Sequence, residues 1–223
     1  MKFKAVIFDL DGTLLNTLDD LADSMNSVLE HNHLPTHPPE AYRYFVGDGI
    51  DMLVRRALPF QVAGDDELLR LIREMKREYA RRWLGRTRPY PGVPEMLDAF
   101  AAAGIPMAVL SNKPDEASQV IVQALLPNTG FQLVLGATPE RPKKPDPSAA
   151  LEIAAFLEIP PSEFLFIGDT PIDMYTARAA GMFPLGVLWG FRPAEQLIGA
   201  GARMLVAQAD HLIPWIGSAG RDR

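Results

Sequence analysis

Short apolar runs recur along the chain, with longer amphipathic stretches between them: Ala5 to Phe8, Met107 to Leu110, Leu133 to Leu135, Phe164 to Ile167 and Pro184 to Leu188. Strands that alternate with helices pair in parallel and need cover on both faces, so the pattern predicts an α/β core built on a doubly wound parallel sheet. A last strand is expected near Met204 to Ala207, followed by a short helix near Leu212.

The interval between the first two runs breaks this rhythm. It spans about a hundred residues that read almost wholly as helix, far more than a crossover between parallel strands requires. Within it Leu68, Ile72, Met75, Tyr79 and Trp83 recur at helical spacing, an apolar stripe that needs other helices to pack against. Residues 16–88 are therefore expected to form an inserted helical domain, and residues 1–15 with 89–223 the α/β core. Asn16-Thr17 and the proline-bearing segment Gly85 to Pro94 would serve as hinges.

With 223 residues, 48% of them hydrophobic, the chain can bury a substantial core. Its formal net charge is −6 and it carries no dense Lys/Arg block, so a nucleic-acid partner is not expected. Arg70, Arg73, Arg77, Arg81 and Arg82 share a helical face, but Glu74 and Glu78 are interspersed, as on a solvated surface. The absence of cysteine excludes disulfides and thiolate metal sites and suits a cytoplasmic setting. No apolar stretch approaches the roughly 20 residues of a membrane span, so no membrane partner is expected either. His31, His33 and His37 fall among prolines at a helix end and read as incidental imidazoles.

Ligands of a doubly wound sheet bind beyond the carboxyl ends of its strands. Asp9 and Asp11 follow the first run, Ser111 and Asn112 the second, Lys143 and Lys144 the third after a loop, and Asp169 and Asp173 the fourth. Each has a plainer reading, since Asp after a strand is also a turn or cap residue and Ser111 could cap a following helix. Their convergence on one sheet edge is the stronger signal. Carboxylates crowded together need a cation, and hard oxygen donors point to Mg2+. A calcium loop opening at Asp9 is excluded, because Leu14 and Asp20 stand where it needs Gly and Glu. The pairs Gly47/Gly49 and Gly199/Gly201 each lack the third glycine of a dinucleotide fingerprint.

The segments Asp9-Leu10-Asp11-Gly12-Thr13-Leu14, Ser111-Asn112-Lys113, Lys144-Pro145 and Gly168-Asp169-Thr170-x-x-Asp173 resemble, in order, the four motifs of the haloacid dehalogenase superfamily. The helical insertion resembles the α-helical cap of its subclass I members. The resemblance implies a Rossmann-like core and a Mg2+-dependent phosphatase. In it Asp9 is the nucleophile, Asp11 the general acid and then base, and Ser111, the Asn112 backbone and Lys144 bind the phosphoryl oxygens. Mg2+ would be held by the Asp9 side chain, the Asp11 main-chain carbonyl and Asp169, with Asp173 in support. Dehalogenases of the superfamily lack the second Asp of the first motif, so Asp11 argues against that reaction. A phosphonatase would want a cap lysine, and Lys76 lies off the apolar stripe.

Val46-Gly47-Asp48-Gly49, Tyr90-Pro91-Gly92-Val93 and Asn112-Lys113-Pro114 further resemble the phosphoglycolate phosphatase branch. That implies 2-phosphoglycolate as substrate and Gly47, Asp48 and Gly49 as a cap specificity loop, with Arg43, Arg55 and Arg56 as nearby cations. A sugar phosphatase, nucleotidase or pyrophosphatase, a β-phosphoglucomutase-like phosphotransferase and a silent phosphometabolite-binding protein stay open as alternatives, as do monomer and homodimer.

Overall fold

A computed structural model of the chain describes residues 3–59 and 64–213. Along it run β1 (Ala5–Phe8), β2 (Leu15–Asn16), α1 (Leu18–His31), α2 (Tyr42–Phe45), α3 (Ile50–Ala57), α4 (Asp65–Arg82), β3 (Arg88–Pro89), α5 (Val93–Ala102) and β4 (Met107–Pro114). Then follow α6 (Asp115–Leu125), β5 (Leu133–Ala137), α7 (Ser148–Phe156), β6 (Phe164–Gly168), α8 (Pro171–Ala179), β7 (Phe183–Val187), α9 (Ala194–Gly199) and β8 (Met204–Val206), with a 3-10 turn at Ala209–Leu212. The chain divides into two compact units, one formed by Met1–Leu15 with Pro89–Arg223 and the other by Asn16–Arg88. Strands β2 and β3 pair as a short two-stranded ribbon.

The first unit is built on a six-stranded sheet in the order β5-β4-β1-β6-β7-β8, with every neighbouring pair parallel. All residues of β1 and β6 are buried, which is why neither shows the polar alternation of a half-exposed strand. Successive side chains point to opposite faces. On one face Ala5, Ile7, Ala108 and Leu110 pack with Ala149, Ala150 and Ile153 of α7 and Ala177 of α8. On the other, the Phe8 ring meets Phe100 of α5 edge-on at 5.8 Å. Each large apolar side chain buried this way contributes about 1.5–3 kcal/mol.

Strand boundaries differ from the apolar runs. β5 and β6 run on to Ala137 and Gly168, β8 stops at Val206, β7 begins and ends one residue early, and β4 continues beyond Leu110 to Pro114. The register of β4 on β5 shifts between Leu110 and Pro114. Such a bulge re-aims side chains, here Ser111, Asn112 and Lys113.

In the helical unit α4 packs on α1 and α3. The stripe Leu68, Ile72, Met75 and Tyr79 is buried together with Leu71, whereas Trp83 lies just past the helix end and is only half-buried. Asp20, buried on α1, accepts hydrogen bonds from Arg86 N–H at 2.9 Å, Thr87 N–H at 2.8 Å and the Thr87 hydroxyl at 2.7 Å, tying the end of this unit to its beginning. Arg70 and Arg82 pair with Glu67, Glu74 and Glu78 on the surface of α4. His37 is structural: its ring lies 2.7 Å from Ala57 O and edge-on to Tyr42 and Phe45. Lys76 is exposed and paired with Asp51 at 2.9 Å.

Candidate active site

The site assembles at the carboxyl edge of the sheet. β1 hands over to Asp9, whose N–H bonds Ile167 O of β6 at 2.8 Å, and the following turn closes through Gly12 N–H to Leu15 O at 2.8 Å. Gly12 sits at φ +92°, in the left-handed region, and a Cβ there would overlap the Asp169 carboxylate and the Phe191 ring. Glycine is thus required for both conformation and space.

From β6 the chain passes Gly168 and Asp169 into α8, which is capped by Thr170 with Pro171 at its first position. Asp173 Oδ2 accepts from Thr170 N–H at 3.0 Å, the carboxylate half of a capping box, and from the Thr170 hydroxyl at 2.7 Å. Its other oxygen accepts from Lys144 Nζ at 2.7 Å, and the same ammonium donates to Asp9 Oδ1 at 2.6 Å. Lys143 has no such place: the lysine preceding proline is the one that enters the site.

One carboxylate oxygen each from Asp9, Asp169 and Asp173 lie within 4.8 Å of one another, all buried. Burial and the nearby Asp173 push the Asp9 carboxyl well above the usual range, against the opposing pull of Lys144. Burial and Asp173 likewise push Asp169 up to about 7, although Phe191 N–H and the Thr13 hydroxyl stabilise its charge. Burial disfavours the Lys144 ammonium, but Asp173 and Asp9 outweigh it and hold the group above its ordinary value. Three crowded carboxylates with one ammonium among them are short of positive charge. A set of hard oxygen donors with that deficit fits a divalent cation such as Mg2+.

Asp11 is not part of that cluster. Its carboxylate pairs with Lys113 Nζ at 3.0 and 3.1 Å, an interaction that leaves the main-chain carbonyl expected to face the cation unengaged by Lys113. Asn112 acts through its side chain on Lys144: Lys144 N–H donates to Asn112 Oδ1 at 2.7 Å, and Nδ2 donates back to Lys144 O at 3.1 Å. Ser111 is buried beside them, its Oγ accepting from Lys113 N–H at 3.2 Å.

Three contributors are not singled out by the sequence reading. Lys113 lay inside a motif without a role of its own. Thr13 donates from its hydroxyl to Asp169 Oδ1 at 3.1 Å. The segment after β7 lines the site: Trp189 Nε1 donates to Thr13 O at 2.9 Å, Phe191 N–H donates to Asp169 Oδ2 at 2.7 Å, and a Cβ on Gly190 would overlap Asp169. Its position at a strand's carboxyl end was the available cue.

Gly47, Asp48 and Gly49 belong to the helical unit. Both glycines have positive φ, +122° and +86°. Asp48 at the tip pairs with Arg56 at 2.5 Å, and Arg56 also donates to Phe45 O at 3.1 Å, so this arginine braces the loop from within.

A doubly wound parallel sheet with two lysines and four aspartates at one edge defines a hydrolase of the haloacid dehalogenase type. The model of the haloacid dehalogenase-like hydrolases matches residues 6–187, and the chain belongs to that family. Within it, the chain sits beside phosphoglycolate phosphatases: it is 33% identical over 215 residues to that of Pseudomonas syringae pv. tomato, covering 95% of this chain and 79% of the relative. Identity to the Nitrosospira multiformis phosphoglycolate phosphatase is 36% over 200 residues, 88% of each chain. A crystal structure from Lactobacillus delbrueckii subsp. bulgaricus, described as a candidate phosphoglycolate phosphatase, superposes with a TM-score of 0.90 at 31% identity, covering 97% and 99% of the two chains. Among the described residues no helix is long and apolar enough to cross a membrane.

Proposed function

We propose that this enzyme is a Mg2+-dependent phosphomonoester hydrolase acting through an aspartyl phosphate on Asp9, with 2-phosphoglycolate as its substrate. The observation that carries the reading is the shared ammonium of Lys144, which bonds Asp9 and Asp173 at 2.6 and 2.7 Å beside Asp169. Such an arrangement fixes the direction of the Asp9 carboxylate and sets positive charge where phosphoryl oxygens would gather.

In the first displacement a carboxylate oxygen of Asp9 forms a bond to phosphorus as the bond from phosphorus to the ester oxygen breaks. Asp11 gives that departing oxygen its proton, because an alkoxide is a poor leaving group. In the second, Asp11 takes a proton from water as the water oxygen attacks phosphorus, releasing inorganic phosphate and restoring Asp9. Ser111, the Asn112 backbone and Lys144 hold the phosphoryl oxygens. Asp9, Asp169 and the Asp11 carbonyl would hold Mg2+, with Asp173 fixing Lys144. Mg2+ supplies charge neutralisation for the carboxylates and the phosphoryl group when bound. The helical unit serves as cap, with Gly47, Asp48 and Gly49 as its specificity loop, and a small phosphorylated metabolite in the cytoplasm is the partner.

The substrate rests on the relatives, which are phosphoglycolate phosphatases at 33% and 36% identity. Phosphate release from a panel of phosphomonoesters led by 2-phosphoglycolate, with and without Mg2+, tests the proposal against Asp9→Asn. Strongest turnover on phosphoglycolate, dependent on Mg2+ and lost in the variant, is expected. Turnover that survives Asp9→Asn overturns the mechanism, and a stronger preference for another ester overturns the substrate.

A further inference from the structure

The reaction proposed above assigns no task to Lys113, yet its ammonium is nearly as secluded as that of Lys144: the side chains are 5% and 3% exposed. A cation is kept out of water only where opposite charge compensates it. The two lysines divide the site between them. Lys144 bonds Asp9 and Asp173, the carboxylates on the nucleophile's side, at 2.6 and 2.7 Å. Lys113 bonds both oxygens of Asp11 at 3.0 and 3.1 Å, and Asp11 is the group assigned to the departing ester oxygen. Lys113 therefore stands on the leaving-group side of the reacting phosphorus.

We infer that Lys113 is the residue that reads the leaving group, and that the site selects phosphate esters of 2-hydroxy acids through a charge-assisted hydrogen bond from Lys113 Nζ to their carboxylate. This rests on the phosphatase reading and deepens it. In such an ester the carboxyl carbon is two bonds from the departing oxygen. A group that hydrogen-bonds that oxygen, and an ammonium about 3 Å from the group, can therefore engage the ester oxygen and the carboxylate together. Lys113 exchanges one carboxylate partner for another, so its charge stays compensated throughout binding. The exchange also frees the Asp11 carboxylate from its ion pair, so that it can take a proton from solvent and pass it to the departing oxygen. An ester without the carboxylate provides no replacement partner and leaves Asp11 held. The bulge in β4 makes this possible, since it is where the register on β5 shifts, between Leu110 and Pro114.

The test compares 2-phosphoglycolate with 2-hydroxyethyl phosphate, which has the same length but no carboxylate, in the full chain with Mg2+. The readout is the ratio of their kcat/KM values. Wild type should favour phosphoglycolate by about 10- to 100-fold, the scale of one hydrogen bond to a charged group. Lys113→Met should collapse that ratio towards one, whatever happens to the absolute rates, and Lys113→Arg should restore part of it. Glycolate should inhibit wild type competitively at concentrations where ethylene glycol does not, which needs no variant to fold. A wild type that hydrolyses both esters without preference overturns the inference and the substrate assignment but not the phosphatase chemistry, and a Lys113→Met ratio equal to that of wild type overturns the inference alone. Release from neither ester overturns the phosphatase reading and this inference with it.

Discussion

The carboxamide of Asn112 clasps the main chain of Lys144 from both sides, accepting from its N–H at 2.7 Å and donating to its carbonyl at 3.1 Å. The pairing imitates one rung of a sheet between segments that share no strand. It fixes where the Lys144 side chain departs towards Asp9 and Asp173. Asn112→Ala leaves two buried main-chain groups without these bonds, an expected loss of roughly 1–3 kcal/mol in urea unfolding. It should also lower kcat for phosphate release by about 100-fold, because a displacement near 1 Å at a catalytic group costs that much. An unchanged kcat would mean that the clasp does not position Lys144.

Asp169 accepts from the Thr13 hydroxyl at 3.1 Å and Phe191 N–H at 2.7 Å, and its carboxylate is crowded by those of Asp9 and Asp173. Added Mg2+ should therefore raise the melting temperature of wild type, by the equivalent of about 2.7 kcal/mol at 100 times its Kd. A chelator should reverse the rise, and Asp169→Asn should abolish it. Calorimetry reads this without any substrate, and an equal Mg2+ response in the variant would place the cation elsewhere.

Gly190 approaches Asp169 so closely that no side chain fits between them. Gly190→Ala should displace the carboxylate, remove the Mg2+-dependent rise in melting temperature and reduce turnover by at least about tenfold. Gly199→Ala is the control, since a Cβ there meets nothing within 4 Å. Similar kinetics for the two variants would argue that Asp169 is not confined from that side.

Asp20 collects three donors at the base of the helical unit, from Arg86 N–H, Thr87 N–H and the Thr87 hydroxyl. Asp20→Ala strands all three. The expected cost is about 2–4 kcal/mol, since each buried donor left unsatisfied costs on the order of 1–3 kcal/mol and part of that is recovered by water. Hydrogen exchange should show the loss first at residues 85–87. Unchanged protection there would mean that the carboxylate does not organise the segment.

The stripe on α4 was legible because helical period and burial are both written in local order: Leu68, Ile72, Met75 and Tyr79 face inward as their spacing requires. Trp83 marks the limit of that rule, since periodicity does not say where a helix stops, and α4 ends at Arg82. The extension of β4 to Pro114 was illegible for a related reason. Ser111, Asn112 and Lys113 are polar, and polar residues inside a strand are recognisable only when a bulge and a neighbouring site explain them.

By itself the sequence determined the six strands of the main sheet, their parallel arrangement and the order in which Asp9, Asp11, Ser111, Lys144, Asp169 and Asp173 come to one edge, but not the β2-β3 ribbon. Those follow from short-range facts: apolar runs that must be buried, turn and cap residues after each run, and the rule that strand ends carry ligands. Tertiary structure alone decided the partners. Lys113 meets Asp11 across 102 positions and Phe191 reaches Asp169 across 22. Nothing in local sequence specifies such distances, because the direction of a side chain at a strand end depends on the bulge, the adjacent crossover and the space that a facing glycine leaves. The pairing of two buried lysines with different carboxylates is therefore a property of the folded chain.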